Sequence, residues 1–197
     1  MPMVRPRLRP EQGGNRLQVD FFGGWVREVV EKPVLRAAPV RVARYNVAVA
    51  FVIRDFKPED FETLWRMDQE CFPPGIAYSK RELQFYVRDQ RLFTLVATDD
   101  EDGKIDGFVV VHAAAMGHVI TIDVKAGARR LGVGSRLLET AENRLRAGGS
   151  HAVGLETAVD NLGALSFYKR HGYAVIRTLP RYYSNGVDAL VLKKELT

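Results

Sequence analysis

From about residue 92 onward the chain alternates short apolar runs with amphipathic stretches. Residues 92–98, 107–115 and 118–124 are apolar runs of strand length, and the acidic turn 99–103 joins the first two. Residues 134–146 change period. Leu137, Leu138, Ala141 and Leu145 fall on one helical face and Arg136, Glu139 and Asn143 on the other, and Gly148-Gly149 ends the segment. Residues 152–159 return to period two, with Val153, Leu155, Thr157 and Val159 alternating with Ala152, Gly154, Glu156 and Ala158. A helix over 161–170 stops at Gly172, and 174–178 and 189–193 read as closing strands. Upstream, 46–54 reads as a strand. Pro58 opens a helix running to residue 70, Pro73-Pro74-Gly75 breaks the chain, and Ser79 with Glu82 forms a capping box for a second helix to residue 87. The predicted order is β-α-α-β-β-β-α-β-α-β-β, an α/β chain of the α+β type with a mixed sheet.

The first 44 residues do not share this pattern. Residues 1–20 are rich in Pro, Arg and Gly and read as disordered, and 21–30 as a short helix with Phe22, Val26 and Val30 on one face. The chain therefore divides into a basic, partly disordered extension, 1–44, and a compact domain, 45–197. Charge follows the same division. Residues 1–48 hold nine Lys and Arg against four Asp and Glu, whereas the other 149 hold 20 of each. A solvated tail is the expected reading, with contact to RNA, a ribosome or an acidic partner as the alternative. No window approaches the roughly 18 consecutive apolar residues of a membrane span, and no signal-peptide pattern opens the chain. Cys71 is the only cysteine, which excludes an intramolecular disulfide and gives a cytoplasmic protein as the expectation. His112, His118, His151 and His171 lack ligand spacing, so no metal is expected, and His118 reads as a strand-edge residue.

The most informative stretch is Arg129-Arg130-Leu131-Gly132-Val133-Gly134-Ser135, between an apolar strand and an amphipathic helix. The first N–H groups of a helix have no partner within it, and the helix dipole adds positive potential, so this end suits a phosphate. Gly132 and Gly134 let an anion approach the backbone, and two arginines flank it. A turn that merely needs positive φ is the alternative. The dinucleotide fingerprint fails because Leu137 stands where a third glycine belongs, and the nucleoside-triphosphate loop fails because Val133 follows Gly132.

The pattern that fits is Arg-x-x-Gly-x-Gly, which resembles the pyrophosphate loop of the GNAT superfamily of acetyl-CoA-dependent N-acetyltransferases. A second stretch resembles that family's later motif, Asn-x-x-Ala-x-x-x-Tyr-x-x-x-Gly-Tyr, at Asn161, Ala164, Tyr168, Gly172 and Tyr173. Leu155-Glu156, Arg181-Tyr182-Tyr183 and 71–79 are similar to the ribosomal-protein-alanine and other protein N-terminal acetyltransferases. The middle residue of Ile122-Asp123-Val124 departs from them, since a small apolar residue is usual there, and the leader has no counterpart.

The resemblance implies a GNAT-like fold, acetyl-CoA as cosubstrate, and a protein or peptide N-terminus, such as that of a ribosomal protein, as acceptor. It implies that the backbone of a bulged strand at Ile122, Asp123 and Val124 holds the pantetheine and acetyl group. Arg129, Arg130, Leu131, Gly132, Val133, Gly134 and Ser135 would hold the pyrophosphate, and Asn161 would contact the cofactor. Glu156 would be the general base and Tyr168 the general acid, with Tyr182 and Tyr183 lining the acceptor groove. Amine attack on a thioester needs a base for the ammonium proton and an acid for the leaving thiolate, and no covalent enzyme intermediate. A lysine side chain is an overlapping acceptor. A small-molecule amine acetyltransferase and a non-catalytic acetyl-CoA-binding module are the alternatives.

Overall fold

The computed structural model describes residues 51–73 and 76–196. The expected helix at 21–30, the disorder at 1–20, the boundary at 45 and the first residues of the predicted strand 46–54 lie outside them.

The elements run β1 (Phe51–Asp55), α1 (Phe61–Cys71), α2 (Lys80–Arg88), β2 (Leu92–Asp99), β3 (Ile105–His112), β4 (Met116–Val124), α3 (Val133–Ala147), β5 (Ala152–Ala158), α4 (Leu162–Arg170), β6 (Ala174–Leu179) and β7 (Ala189–Glu195). The predicted order holds. Several boundaries shift, β3 running from Ile105 to His112 rather than over 107–115, and two of the shifts have evident local reasons. Pro58–Asp60 forms a separate 3-10 turn before α1, with Asp60 accepting from the Lys57 N–H and forming a two-pronged pair with Arg54. β4 starts at Met116, two residues early, because its first three residues pair with β5. The capping box at α2 forms, with the Ser79 N–H donating to Glu82 and the Glu82 N–H to Ser79 Oγ.

The strands make one seven-stranded sheet in the order β1-β2-β3-β4-β5-β7-β6. All neighbours are antiparallel except β4 and β5. Leu95, Ala97, Val109, Val111, Val153 and Leu155 pack under the apolar stripe of α3 and against Ala164, Phe167 and Tyr168 of α4. Val96, Phe108, Val110 and Ile120 pack on the other face against Leu64 and Met67 of α1 and Leu83 and Tyr86 of α2. Burial on both faces explains why the central strands read as nearly continuous apolar runs.

Two features of β4 shape the site. It pairs with β5 only through Met116, Gly117 and His118, opposite Ala152, Val153 and Gly154. Beyond that point β5 stays with β7 to Ala158, while β4 stays with β3 to Val124, so the sheet forks. β4 also bulges. Val110 pairs with Thr121 but Val111 pairs with Val119, which leaves Ile120 as the extra residue. The bulge switches the side-chain alternation. Val119, Ile122 and Val124 face the α3 and α4 core, while Ile120 packs with α1 and α2.

Candidate active site

The fork is built from groups that the sequence places far apart. Glu156 lies on β5 two residues past its last pairing with β4, because Leu155 and Thr157 take the buried positions on the other face. Its Oε2 lies 2.9 Å from Nε2 of His118, on β4, and both side chains are largely shielded. Gly154 makes room for this approach: a Cβ there would stand 3.0 Å from Met116 Cε and 3.8 Å from His118 Nδ1. His118, read from the sequence as a strand-edge residue, is therefore the partner of the expected base. No local signal could have shown this, because the contact depends on where the β4–β5 ladder ends.

Tyr168 enters from α4, wholly buried, with its ring edge-on to Phe167 and Tyr173 at 5.2 and 5.4 Å. Its hydroxyl makes no hydrogen bond to another described residue. Burial first, then the charge of Asp123 and the phenol of Tyr183, push its pKa well above the usual value, so the phenol stays protonated. Tyr183 is buried beside it, reached from the β6–β7 loop, and Tyr182 lies half-buried with its ring 5.2 Å from that of Tyr183. Asn161 caps α4, its Oδ1 accepting from the Ala164 N–H at 3.2 Å.

The loop leading into α3 is suited to an anion. Gly132, the N-cap residue, has φ 91°, and its side-chain-free position gives no cap to the first-turn N–H groups. No acidic residue sits in that turn. Arg130 also has positive φ, 65°, and is exposed, as is the Leu131 side chain, while Val133 is buried. A Cβ on Gly134 would meet Val124 and Phe167 at ordinary contact distances of 3.5–3.7 Å, so the protein's own packing does not demand glycine there. The half-buried Ser135 follows.

Arg129 differs from expectation. Its Nε donates to the Val124 carbonyl at 2.9 Å, and Nη2 reaches Cys71 Sγ at 3.6 Å. The end of β4 leaves this carbonyl facing the helix α1, and the guanidinium satisfies it. Arg129 thus ties the loop to the strand, and Arg130 is the outward-facing member of the pair. The Cys71 thiol, pushed up to about 11 chiefly by burial and then by Asp123, is an inert filler. Among the described residues, no three of His, Cys, Asp and Glu converge as metal ligands.

A fork in a mixed sheet, a glycine-turned helix start, a shielded carboxylate–imidazole pair and a neutral buried phenol are features suited to an acyltransferase. The chain belongs to the acetyltransferase (GNAT) family, whose model matches residues 61–173. It is 35% identical over 159 residues to an N-alpha-acetyltransferase of Sulfurisphaera tokodaii, covering 73% of this chain and 92% of that one. The crystal structure of Ard1 from Thermoplasma volcanium superposes with a TM-score of 0.69 at 28% identity, over 76% of this chain and 99% of the other. The NatC complex bound to Gag peptide and CoA contains a chain of the same fold, with a TM-score of 0.67 at 22% identity, over 75% and 99% of the two chains. The protein is an N-acetyltransferase, and its family uses acetyl-CoA.

Proposed function

We propose that this enzyme transfers the acetyl group of acetyl-CoA to the α-amine of a protein or peptide N-terminus, with a lysine amine as an overlapping acceptor, in the cytoplasm. The observation that carries the reading is the approach of Glu156 to His118 just where β4 and β5 part. There the ladder between β4 and β5 ends, at His118 and Gly154, and Glu156 stands two residues beyond it. Relatives called N-alpha-acetyltransferases support the choice of acceptor.

The residues divide the work as follows. The first-turn amides from Arg130 to Ser135 hold the pyrophosphate, assisted by the side chain of Arg130. The backbone of Ile122, Asp123 and Val124 and the Asn161 side chain orient the thioester. Glu156, oriented by His118, removes the proton from the acceptor ammonium, and the neutral amine attacks the thioester carbon. The C–N bond forms, the C–S bond breaks, the departing thiolate takes the proton of Tyr168, and the proton lost from the amide nitrogen returns Tyr168 to the phenol. Tyr182 and Tyr183 line the groove that admits the acceptor.

The test is release of CoA thiol by the purified full chain, given acetyl-CoA and a panel of free-amine peptides, N-acetylated peptides carrying an internal lysine, and small amines. Turnover of free-amine peptides is expected. Turnover of small amines alone would overturn the peptide acceptor while leaving the acyltransferase chemistry in place.

A further inference from the structure

Leu155 packs in the α3 and α4 core, so Glu156 stands on the opposite face of the sheet, the face of α1 and α2. These two helices cover only part of it. Their core takes residues from β2, β3 and β4 and, among the described residues, none from β5, β6 or β7. On the remaining half the ladders set the side chains in rows. Glu156 is paired with Val191 on β7, and Val191 with Arg177 on β6, so the three share one face. A bulge puts Arg177 there. Val175 pairs with Leu192 and Arg177 with Val191, which leaves Ile176 as an extra residue. Without it Arg177 would fall on the face of Leu190 and Leu192, which pack with the α3 and α4 core. Arg177 is exposed and forms no hydrogen bond or ion pair with another described residue. The nearby Lys193 is engaged by Glu195, Nζ to Oε1 at 2.8 Å.

A second cation is held beside this face by a different device. Arg181, in the β6–β7 loop, has φ 49°, in the left-handed region that a glycine occupies freely. Asp188 fixes it there, Oδ1 accepting the Arg181 N–H at 2.7 Å. The Asp188 carbonyl accepts the Val159 N–H at 3.1 Å, which fastens the loop to the end of β5, three residues past Glu156. The Arg181 side chain is exposed and has no partner among the described residues. A bulge and a disfavoured backbone conformation thus place two unpaired cations around the proposed base. We propose that this half of the sheet is the docking surface for the acceptor, and that the acceptor it fits is an acidic peptide, with its amine at Glu156 and an Asp or Glu at about its third or fourth residue against Arg177 or Arg181. Spacing selects it. Neighbouring strands lie about 4.8 Å apart, so the backbones of Glu156 and Arg177 are separated by about 10 Å, the length of about three extended residues. The ammonium and the acid of such a peptide meet an anion and a cation at matching separation, whereas a basic residue in the same place meets like charge. This rests on the acetyltransfer reading above and extends it from the reacting amine to the residues that follow it.

The experiment gives the full chain acetyl-CoA and free-amine peptides that differ only in carrying Glu, Gln or Lys at residues 3 and 4, and measures KM and kcat by release of CoA thiol at low and high salt. The KM of the Glu peptide is expected to be about twofold to about tenfold below that of the Gln peptide, with a smaller change in kcat and a difference that shrinks as salt rises. Moving a single Glu along the peptide should help most at residue 3 or 4. Arg177→Gln and Arg181→Gln should each bring the ratio of the two KM values toward one, and Arg177→Glu should turn the preference toward the Lys peptide. The ratio is taken within one preparation, so a loss of folded enzyme does not move it. Equal KM values for the three peptides, or a preference that survives in both Gln variants, would overturn the inference and leave the peptide acceptor standing. Turnover of small amines and of no peptide would overturn the peptide reading and this inference with it. No turnover of any amine would overturn the acetyltransfer reading as well.

Discussion

Replacing Tyr168 with Phe should make the protein more stable and a poorer enzyme at once. The Tyr168 side chain is wholly buried, yet its hydroxyl makes no hydrogen bond to another described residue. Burying an unsatisfied hydroxyl costs about 1–3 kcal/mol, and Phe removes the hydroxyl while leaving the ring. The edge-on contacts with Phe167 and Tyr173 remain. The expected gain is thus about 1–3 kcal/mol, or about 2–4 °C in Tm for each kcal/mol in a domain of this size. Loss of the general acid should lower kcat by about 100-fold or more. Urea denaturation gives the stability and CoA-thiol release the rate, both on the full chain. A purely structural tyrosine would lose nothing in rate. A hydroxyl with a hidden partner would lose stability by about 1 kcal/mol or more. Either result would refute the reasoning. The combination of higher Tm with lower kcat is the signature of a group held at a cost for chemistry.

Three further outcomes are expected. Gly107→Ala sets a Cβ 2.7 Å from the Asp123 carbonyl and 3.2 Å from Leu137 and Val133, so it should cost about 1–3 kcal/mol by urea denaturation and weaken acetyl-CoA binding in calorimetry by displacing the end of β4. Glu156→Gln should lower kcat about 100-fold with little change in acetyl-CoA affinity, and His118→Ala should lower it less; equal KM and kcat losses in both would argue for misfolding instead. Burial, then Arg91 and His118, hold the His112 pKa below the ordinary histidine value of 6.5, so the folded state resists a proton that the unfolded chain accepts. This part of the stability is intact above pH 6.5 and declines as the pH falls from 6.5 toward the folded-state pKa. Urea midpoints at pH 7.5 and 5.5 should show the decline, and His112→Asn should reduce it.

The sequence carried the element order, the Ser79 capping box, the stripe of α3 and the positions of Glu156 and Tyr168, because each depends on local periodicity, capping chemistry or a motif of fixed spacing. What it did not carry is non-local or geometric. His118 and Glu156 are 38 residues apart, and nothing in either strand marks where their ladder stops. The bulge falls at Ile120, inside the apolar run Val119-Ile120-Thr121-Ile122, without the glycine that often betrays one. A strict period of two consequently assigns Asp123 to the wrong face. Arg129 was legible as a charge beside the phosphate loop but not as the donor to Val124, since the need for a donor arises only once β4 ends facing α1.

These non-local features share a cause. β5 is bound along its whole length by β7, from Ala152 to Ala158, and β4 by β3 as far as Val124. Each half of the sheet is therefore complete on its outer side past the point where β4 and β5 part. The bulge adds local twist to β4 just past His118. The opening thus lies between two intact half-sheets. Rigid separation leaves the inner backbone edges of both strands unpaired by one another, which in a closed sheet would be a defect. Here it leaves two strand edges, with the proposed base Glu156 on one and the buried Asp123 on the other, and Tyr168 buried in the adjoining helix layer. Joining β4 and β5 beyond Gly154 would gain hydrogen bonds and close the fork proposed as the reaction site.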